Sequence, residues 1–236
     1  MPSVLTGDVY DLPVLLGEQY MLSALLRETR DVILYRATQK DLRREVVVEC
    51  LRPSAAADEA KLHAFLETAR ARACFEGLHL ARVLEVLQAD GAWLVARESP
   101  EGEPLDMLLA AGERLRGEEV CLLMQMLCRL CLRLDAERLN SVVFQLGDIF
   151  YRERRFSLNN PACAGARPES ATRDYLADAA QALLPLVEPG EALAGQLVEL
   201  LQRTCIRRAP SPTLAAFLLA EYAALYALML REGVPA

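Results

Sequence analysis

The amino-acid sequence changes character near residue 100, and this change limits the folds that the chain can adopt. Residues 20–99 read mainly as strands, because short runs rich in valine, isoleucine, leucine and tyrosine alternate with charged turns. The first three runs cover residues 20–28, 31–38 and 45–51. From residue 103 onward, helical patterns dominate. This order predicts an α+β chain with a β-rich first part and a mainly helical second part.

One helix interrupts the predicted strands. Within residues 55–74 the apolar side chains recur at the spacing of a single helix face, and they are Leu62, Phe65, Leu66, Ala69 and Ala73. Two further strands, over residues 83–88 and 92–98, follow this helix. The turn between them contains Asp-Gly, a dipeptide that accepts positive φ and so favours a hairpin.

The second part contains four longer helical patterns. The pattern over residues 118–135 is apolar on most sides, which is typical of a central, buried helix. Others cover residues 170–187, 191–206 and 212–231, and residues 142–158 read as short strands. The run 214–230 is apolar except for Glu221, but a membrane span needs about 20 such residues. We therefore expect this helix to be packed inside the domain and not to anchor the chain in a membrane.

Composition excludes several classes of protein. With 53% hydrophobic and 25% charged residues, the chain is not disordered. A net charge of −7 gives no positive field for phosphate groups, so we expect neither nucleic acid nor a membrane surface as a partner. Seven scattered cysteines do not form a disulfide framework, which favours the cytoplasm. Cys128 and Cys131 lie in an apolar helix without a second metal-binding pair, so we expect core cysteines and no metal.

Several short motifs follow the order in which the protein-kinase fold uses them. Leu34-Tyr35-Arg36-Ala37 resembles the motif that ends the second kinase strand, and residues 44–53 resemble the third strand. Residues 65–70 resemble the part of the regulatory helix that carries its glutamate. Residues 94–98 resemble the approach to the hinge, and residues 101–105 resemble the start of the next helix.

The resemblance is to bacterial serine/threonine kinases and covers about residues 20–220. It implies a bilobal kinase-like fold within a single domain, residues 1–236. The β-rich N-lobe would cover residues 20–99 and the mainly helical C-lobe residues 100–236. Because few residues separate the matching motifs, the activation segment would be short, about residues 163–169.

The chain departs from the kinase pattern at the positions that handle phosphate. Kinases use a glycine-rich loop, a lysine on the third strand, a catalytic aspartate and a metal-binding aspartate. No glycine lies between Gly17 and Gly77. Glu49, Val143 and Asn160 stand where the resemblance places the lysine and the two aspartates, and only the helix glutamate, Glu67, is retained. We expect Glu49 to be a rim or solvent-facing charge, without a role in acid–base catalysis.

These departures predict a pseudokinase that is not an enzyme and holds no cofactor or metal. Its function would be that of a regulatory or scaffolding module that binds another protein, such as an active kinase, a phosphatase or an assembly complex. Two alternatives remain open. One is a nucleotide-sensing domain that binds ATP weakly without phosphotransfer, and the other is a kinase-like enzyme of altered chemistry.

Two groups of arginines are candidates for partner binding. Arg70 and Arg72 are expected on the exposed face of the 55–74 helix, and Arg152, Arg154 and Arg155 in an exposed turn. The planar guanidinium group pairs with carboxylates and is enriched at interfaces. The alternative is that these arginines only solvate the surface.

Overall fold

The computed structural model describes residues 5–6, 9–10, 12–77, 79–165, 168–190, 193–206 and 211–232. The chain divides into two compact units, Met1–Pro100 and Glu101–Ala236. Residues 166 and 167, in the expected activation segment, lie outside the described residues.

The first unit is built on strands, as the sequence predicts. Its elements in chain order are β1 (Leu5–Thr6), β2 (Val9–Tyr10), β3 (Val14–Leu16), β4 (Tyr20–Glu28), β5 (Val32–Gln39), β6 (Arg44–Leu51), α1 (Pro53–Ala56), α2 (Glu59–Cys74), β7 (Val83–Ala89) and β8 (Ala92–Glu98). Strands β3 to β8 form a six-stranded sheet in the order β3-β4-β5-β6-β8-β7, and every pair in it is antiparallel.

The core of this unit lies on one face of the sheet. Side chains alternate between the two faces of a strand, so that Val46, Val48 and Cys50 of β6 point into the core. Their neighbours Ile33, Tyr35, Leu94 and Ala96 on β5 and β8 join the same cluster. The odd-numbered residues of β6 consequently occupy the opposite face.

Helix α2 begins at a well-formed N-cap. The side chain of Asp58 accepts hydrogen bonds from the backbone N–H groups of Ala60 and Lys61, at 3.0 and 3.3 Å. These bonds satisfy donors that have no partner within the helix. The helix packs against β7, and Ala69 is its buried residue.

The second unit is mainly helical. Its elements are β9 (Glu103–Pro104), α3 (Leu105–Ala110), α4 (Gly117–Ala136), β10 (Asn140–Ser141), β11 (Ile149–Arg152), β12 (Arg155–Leu158), β13 (Ala162–Cys163), α5 (Ala171–Leu183), α6 (Ala194–Ile206) and α7 (Ser211–Glu232), with 3-10 turns at Leu146–Asp148 and Leu184–Leu186. The predicted helix over residues 170–187 ends early, because Pro185 lies in the second of these turns.

Helix α4 is the central helix of this unit, as its apolar pattern predicts. Cys121, Cys128 and Cys131 are all buried, and the Cys121 sulfur lies 3.9 Å from the Met229 sulfur of α7. Burial raises the pKa of Cys128 to about 12, so the thiol stays protonated. These cysteines act as core side chains.

Helix α7 packs against α4, as expected, with Leu218, Tyr222, Leu225 and Met229 buried. The other side of α7 exposes Phe217 and two leucines. Only a third of the residues in the most apolar stretch of this helix are buried. By length and composition alone, Thr213–Glu232 could cross a membrane, which is weak evidence for a span. Its packing against α4 instead places the helix in the core of the unit.

Candidate functional site

The position that the sequence resemblance assigns to the kinase lysine, Glu49, lies on strand β6 of the first unit. Glu49 is directly opposite Leu34 on β5 and Val95 on β8. Because the core takes Val48 and Cys50, the Glu49 side chain points to the other face of the sheet. Glu49 is buried there, so the expectation of a rim or solvent-facing charge is wrong.

Two arginines approach the Glu49 carboxylate. Arg97 donates from Nε to Oε1 at 2.7 Å, and Arg72 donates from Nη1 to both carboxylate oxygens at 3.2 and 3.1 Å. The side chain of Arg97 is only 4% exposed and that of Arg72 15% exposed. We call Glu49, Arg72 and Arg97 the buried ion cluster. It connects strand β6 with strand β8 and with helix α2.

The cluster determines the charge of Glu49. Burial alone raises the pKa of its carboxyl group, but the positive charges and hydrogen bonds of Arg72 and Arg97 outweigh burial and hold the pKa below its ordinary value. The carboxylate is therefore ionised at neutral pH. One buried anion is shared by two guanidinium groups.

The register of the sheet explains why Arg97 belongs to this site. Arg97 pairs with Val47 across β6 and β8, and therefore lies on the same face as Glu49. Sequence reasoning missed Arg97. The available signal was a charged residue in β8 that directly follows the buried apolar residues Leu94, Val95 and Ala96.

Helix α2 reaches the strand through Arg72 and not through the retained glutamate. Glu67 forms an ion pair with Arg70 one turn along the same helix, and the Arg70 side chain is 70% exposed. In active kinases a strand lysine and a helix glutamate make the connection between strand and helix. Here the anion is on the strand and the cation is on the helix, so the polarity of the connection is inverted. Arg72 is correspondingly absent from the exposed helix face where the sequence placed it.

The other positions that the resemblance assigned lie in the second unit. Val143, predicted to replace the catalytic aspartate, is 74% exposed in the loop before β11. Asn160, predicted to replace the metal-binding aspartate, is buried, and its side-chain oxygen accepts from the Ala162 N–H at 3.1 Å. Asp148 accepts from the Asn159 side chain at 2.8 Å. Among the described residues, no group of three histidine, cysteine or acidic side chains could hold a metal ion.

The arginine turn joins β11 and β12. Glu153 and Arg154 have φ values of 49° and 65°, a conformation that two-residue hairpins usually reserve for asparagine and glycine. Arg154 lies 3.6 Å from Glu118 and 3.8 Å from Glu119 at the start of α4. Arg152 lies 3.9 Å from Glu101, and all three arginines of the turn are exposed. We call Arg152, Arg154 and Arg155 the exposed arginine turn.

Comparisons with known proteins identify the fold. No protein-family model matches the chain, and no curated protein matches it. Among solved structures, the kinase domain of Mycobacterium tuberculosis PknI matches with a TM-score of 0.64 and 15% identity, over 92% of this chain and 100% of that chain. A double-mutant form of that domain matches with a TM-score of 0.64 and 16% identity, over 91% of this chain and 100% of that chain.

These matches confirm the kinase-like, bilobal α+β fold that the motifs predict. They also correct one prediction. The structures that the chain resembles are kinase domains, which are enzymes, and nothing in the described structure shows catalytic inactivity. The prediction that the chain is not an enzyme is therefore wrong. At 15–16% identity the likeness shows the fold alone.

Proposed function

We propose that this chain is a kinase-like regulatory module that acts in the cytoplasm by binding another protein. The candidate partners are an active kinase, a phosphatase or an assembly complex. The observation that carries the proposal is the buried ion cluster. The position of the family's phosphate-binding lysine holds an anion, and two arginines use that anion to connect strands with a helix.

The buried ion cluster favours a first unit in which helix α2 is held in one position against the sheet. In kinases, the position of the regulatory helix controls whether the strand–helix ion pair forms. Here the connection involves three charges with little solvent access, and breaking such a connection costs several kcal/mol. A helix held in one position suits a module whose surface is recognised by a partner.

The exposed arginine turn is the proposed contact surface in the second unit, and Arg70 is a separate candidate contact in the first unit. Strands β11 and β12 hold the two-residue turn at Glu153 and Arg154 in a defined backbone conformation, while the ion pairs of Arg154 with Glu118 and Glu119 are weak and leave its guanidinium group available. A rigid turn presents its guanidinium groups with little loss of entropy on binding. Carboxylates or phosphates of the partner would pair with these groups.

The test begins with affinity capture from the native cell, followed by mass spectrometry to identify the partner. The dissociation constant of the purified partner is then measured for the wild type and for a variant with Arg152→Glu, Arg154→Glu and Arg155→Glu. We expect the triple variant to weaken binding at least tenfold. Arg173→Glu, which changes a partly exposed arginine paired with its neighbour Asp174, is the control and should leave binding within twofold. Equal affinity of the triple variant and the wild type would contradict the proposed surface.

A kinase-like enzyme of altered chemistry is the second candidate function. The observation that favours it is the match to kinase domains over more than nine-tenths of the chain. Labelled ATP with Mg²⁺ separates the two candidates. Saturable binding of ATP together with transfer of the label to a protein or small molecule would favour the enzyme over the regulatory module.

A further inference from the structure

A cavity of about 290 Å³ lies between helix α2 and the sheet within the first unit. Its floor is the sheet face that carries Glu49, opposite the main core. Strand register brings the floor residues together, because Val32 pairs with Leu51 and Glu49 pairs with Val95 across β5, β6 and β8. The volume is close to the lower limit of small-molecule pockets, which measure roughly 300–1,000 Å³. The cavity therefore suits a small ligand.

One face of α2 forms the wall of the cavity. The lining residues of this helix lie three or four positions apart, which keeps them on one side, and they are Lys61, Ala64, Phe65, Thr68, Ala69 and Arg72. At 1.5 Å per residue, the steps from Lys61 to Arg72 cover about 16 Å. The wall therefore has a charged side chain at each end, with small or apolar side chains and one hydroxyl group between them.

The charged groups of the lining balance one another. At one end Lys61 donates to Asp31 at 2.6 Å, and at the other Arg72 donates to both oxygens of Glu49 at 3.2 and 3.1 Å. Two cations and two anions line the cavity, and each has an opposite charge as its neighbour. Arg97, the second partner of Glu49, does not belong to the lining. The side chains that line the cavity therefore sum to zero charge.

This balance disfavours a charged ligand. Such a ligand would leave water, which solvates a charge well, for a lining in which each charge is already paired. If it took over one partner of an existing pair, it would leave the other partner uncompensated. That loss is strongly unfavourable where solvent access is low, as at Arg72 and Glu49. The charge balance of the cavity consequently favours an uncharged ligand.

The rest of the lining is mainly apolar. Leu51 and Val95 are buried in the floor, whereas Val32 and Phe65 are only partly buried and so remain in contact with water. A ligand that covers Val32 and Phe65 removes apolar surface from water, which is favourable roughly in proportion to the area. Thr68 adds a hydroxyl group that can donate a hydrogen bond to a neutral polar group or accept one from it.

We propose that this cavity binds a small uncharged molecule with an aromatic body and one neutral polar group. The aromatic body lies against Phe65, Leu51 and Val95, because aromatic rings pack favourably on one another in offset or edge-to-face arrangements. The polar group faces Thr68. The proposal does not depend on the proposed protein-binding function, because it uses only the cavity, and either of the two can fail without the other.

The first test compares three probes that share a phenyl ring and differ in the charge of the head group. 2-Phenylethanol is neutral, phenylacetate is an anion and 2-phenylethylammonium is a cation. Each probe is titrated into the full chain, and the chemical shifts of the backbone amides report binding. We expect saturable one-to-one binding of 2-phenylethanol and at least fivefold weaker binding of both charged probes. A smaller difference for either charged probe, or no saturation by 2-phenylethanol at millimolar concentration, would overturn the proposal.

The second test places the site. Ala64 lines the cavity at an exposed position of α2, so Ala64→Trp should fill the cavity without disturbing the core and weaken 2-phenylethanol binding at least tenfold. His63→Trp adds the same bulk at the neighbouring exposed residue, outside the lining, and should change the affinity less than twofold. In the wild type, the amide signals of Leu51 and Val95 should shift on binding. Equal affinities of the two tryptophan variants, or unshifted signals of these floor residues, would place the probe elsewhere and overturn the proposal.

The third test examines the polar group of the ligand. Thr68→Val replaces the hydroxyl group by a methyl group of similar size, and it should weaken 2-phenylethanol binding at least threefold. The same variant should bind ethylbenzene, which lacks the hydroxyl group, within twofold of the wild type. Thr38→Val makes the same change at an exposed position of β5 outside the lining and is the matched control. Equal losses of affinity for 2-phenylethanol and ethylbenzene in Thr68→Val would overturn the placement of the polar group at Thr68.

Discussion

The buried ion cluster and the exposed arginine turn contain the same chemical groups in opposite environments. In the first unit, Arg72 and Arg97 share one carboxylate with little solvent access. In the second unit, Arg152 and Arg154 lie 3.6–3.9 Å from carboxylates, most of which are more exposed than the carboxylate of Glu49. Two opposite unit charges 4 Å apart attract by about 1 kcal/mol in water and about 4 kcal/mol at an effective dielectric constant of 20. The environment therefore decides which arginines contribute to stability.

This difference also assigns the two groups different uses. A charge already paired and buried is costly to rearrange, so it maintains the fold. An exposed, weakly paired arginine contributes little to stability and stays available to a partner. Residue type and spacing alone do not distinguish the two groups, which is why the sequence predicts an exposed Arg72.

The largest effect is expected from returning the kinase lysine to its position. Glu49→Lys puts a third positive charge beside Arg72 and Arg97, so we expect a loss of at least the ~3–5 kcal/mol that breaking a buried pair costs. Glu49→Gln, which removes the anion without adding a cation, should lose less. Urea unfolding followed by circular dichroism measures both.

The control for this prediction is Glu67→Lys, which changes the partner of the exposed Arg70. It should alter the free energy of unfolding by about 0.5 kcal/mol or less. Similar stabilities for the Glu49→Lys and Glu67→Lys variants would show that the cluster is no more important than a surface pair.

The next effect concerns the inverted polarity of the strand–helix connection. Combining Glu49→Lys with Arg72→Glu restores the kinase arrangement and keeps the net charge of the cluster. We expect the double variant to recover about 0.5–3 kcal/mol relative to the sum of the two single changes, the range found for residues in one ionic network. Simple additivity of the two losses in urea unfolding would contradict a direct pairing of positions 49 and 72.

How far the sequence could predict this molecule depends on the level of structure. Strong periodicity and element order predicted the strands, α2 and α4, because a residue's neighbours along the chain determine those patterns. The buried ion cluster could not be predicted, since Glu49 and Arg97 are 48 residues apart and meet only through strand register. The exposure of Arg70 and the burial of Arg72 depend on which face of α2 meets the sheet. Tertiary packing decides which face of α2 meets the sheet, and the sequence of the helix alone does not.

Acidification should weaken the buried cluster more than an exposed pair. The pKa of Glu49 is held below its ordinary value in the folded chain, so its contribution is complete above the unfolded pKa, near ~4.3, and is lost as the pH falls through the folded pKa. The stability difference between the wild type and Glu49→Gln should therefore shrink below about pH 4. Urea unfolding between pH 3 and pH 7 measures it.

Glu98 provides the matched comparison for this pH series. A hydrogen bond from Arg82 lowers the pKa of Glu98 despite partial burial, and this pair is more exposed than the buried cluster. Glu98→Gln should show the same sign of pH dependence with a smaller amplitude. A stability difference for Glu49→Gln that does not change with pH would contradict an ionised Glu49.

The smallest effect on stability is expected at the exposed arginine turn. Arg152, Arg154 and Arg155 are exposed, and the ion pairs of Arg152 and Arg154 are at least 3.6 Å long, so each pair contributes about 0–1 kcal/mol. The triple variant with all three changed to glutamine should therefore unfold within about 1 kcal/mol of the wild type, and added salt should narrow the difference further. Glutamine at position 154 has nearly the same energetic cost of positive φ as arginine. The measurement therefore separates the effect of charge on stability from the effect of backbone conformation. A loss near that of Glu49→Gln, unaffected by salt, would show that the turn maintains the fold as the buried cluster does, and would remove the basis for treating it as a free contact surface.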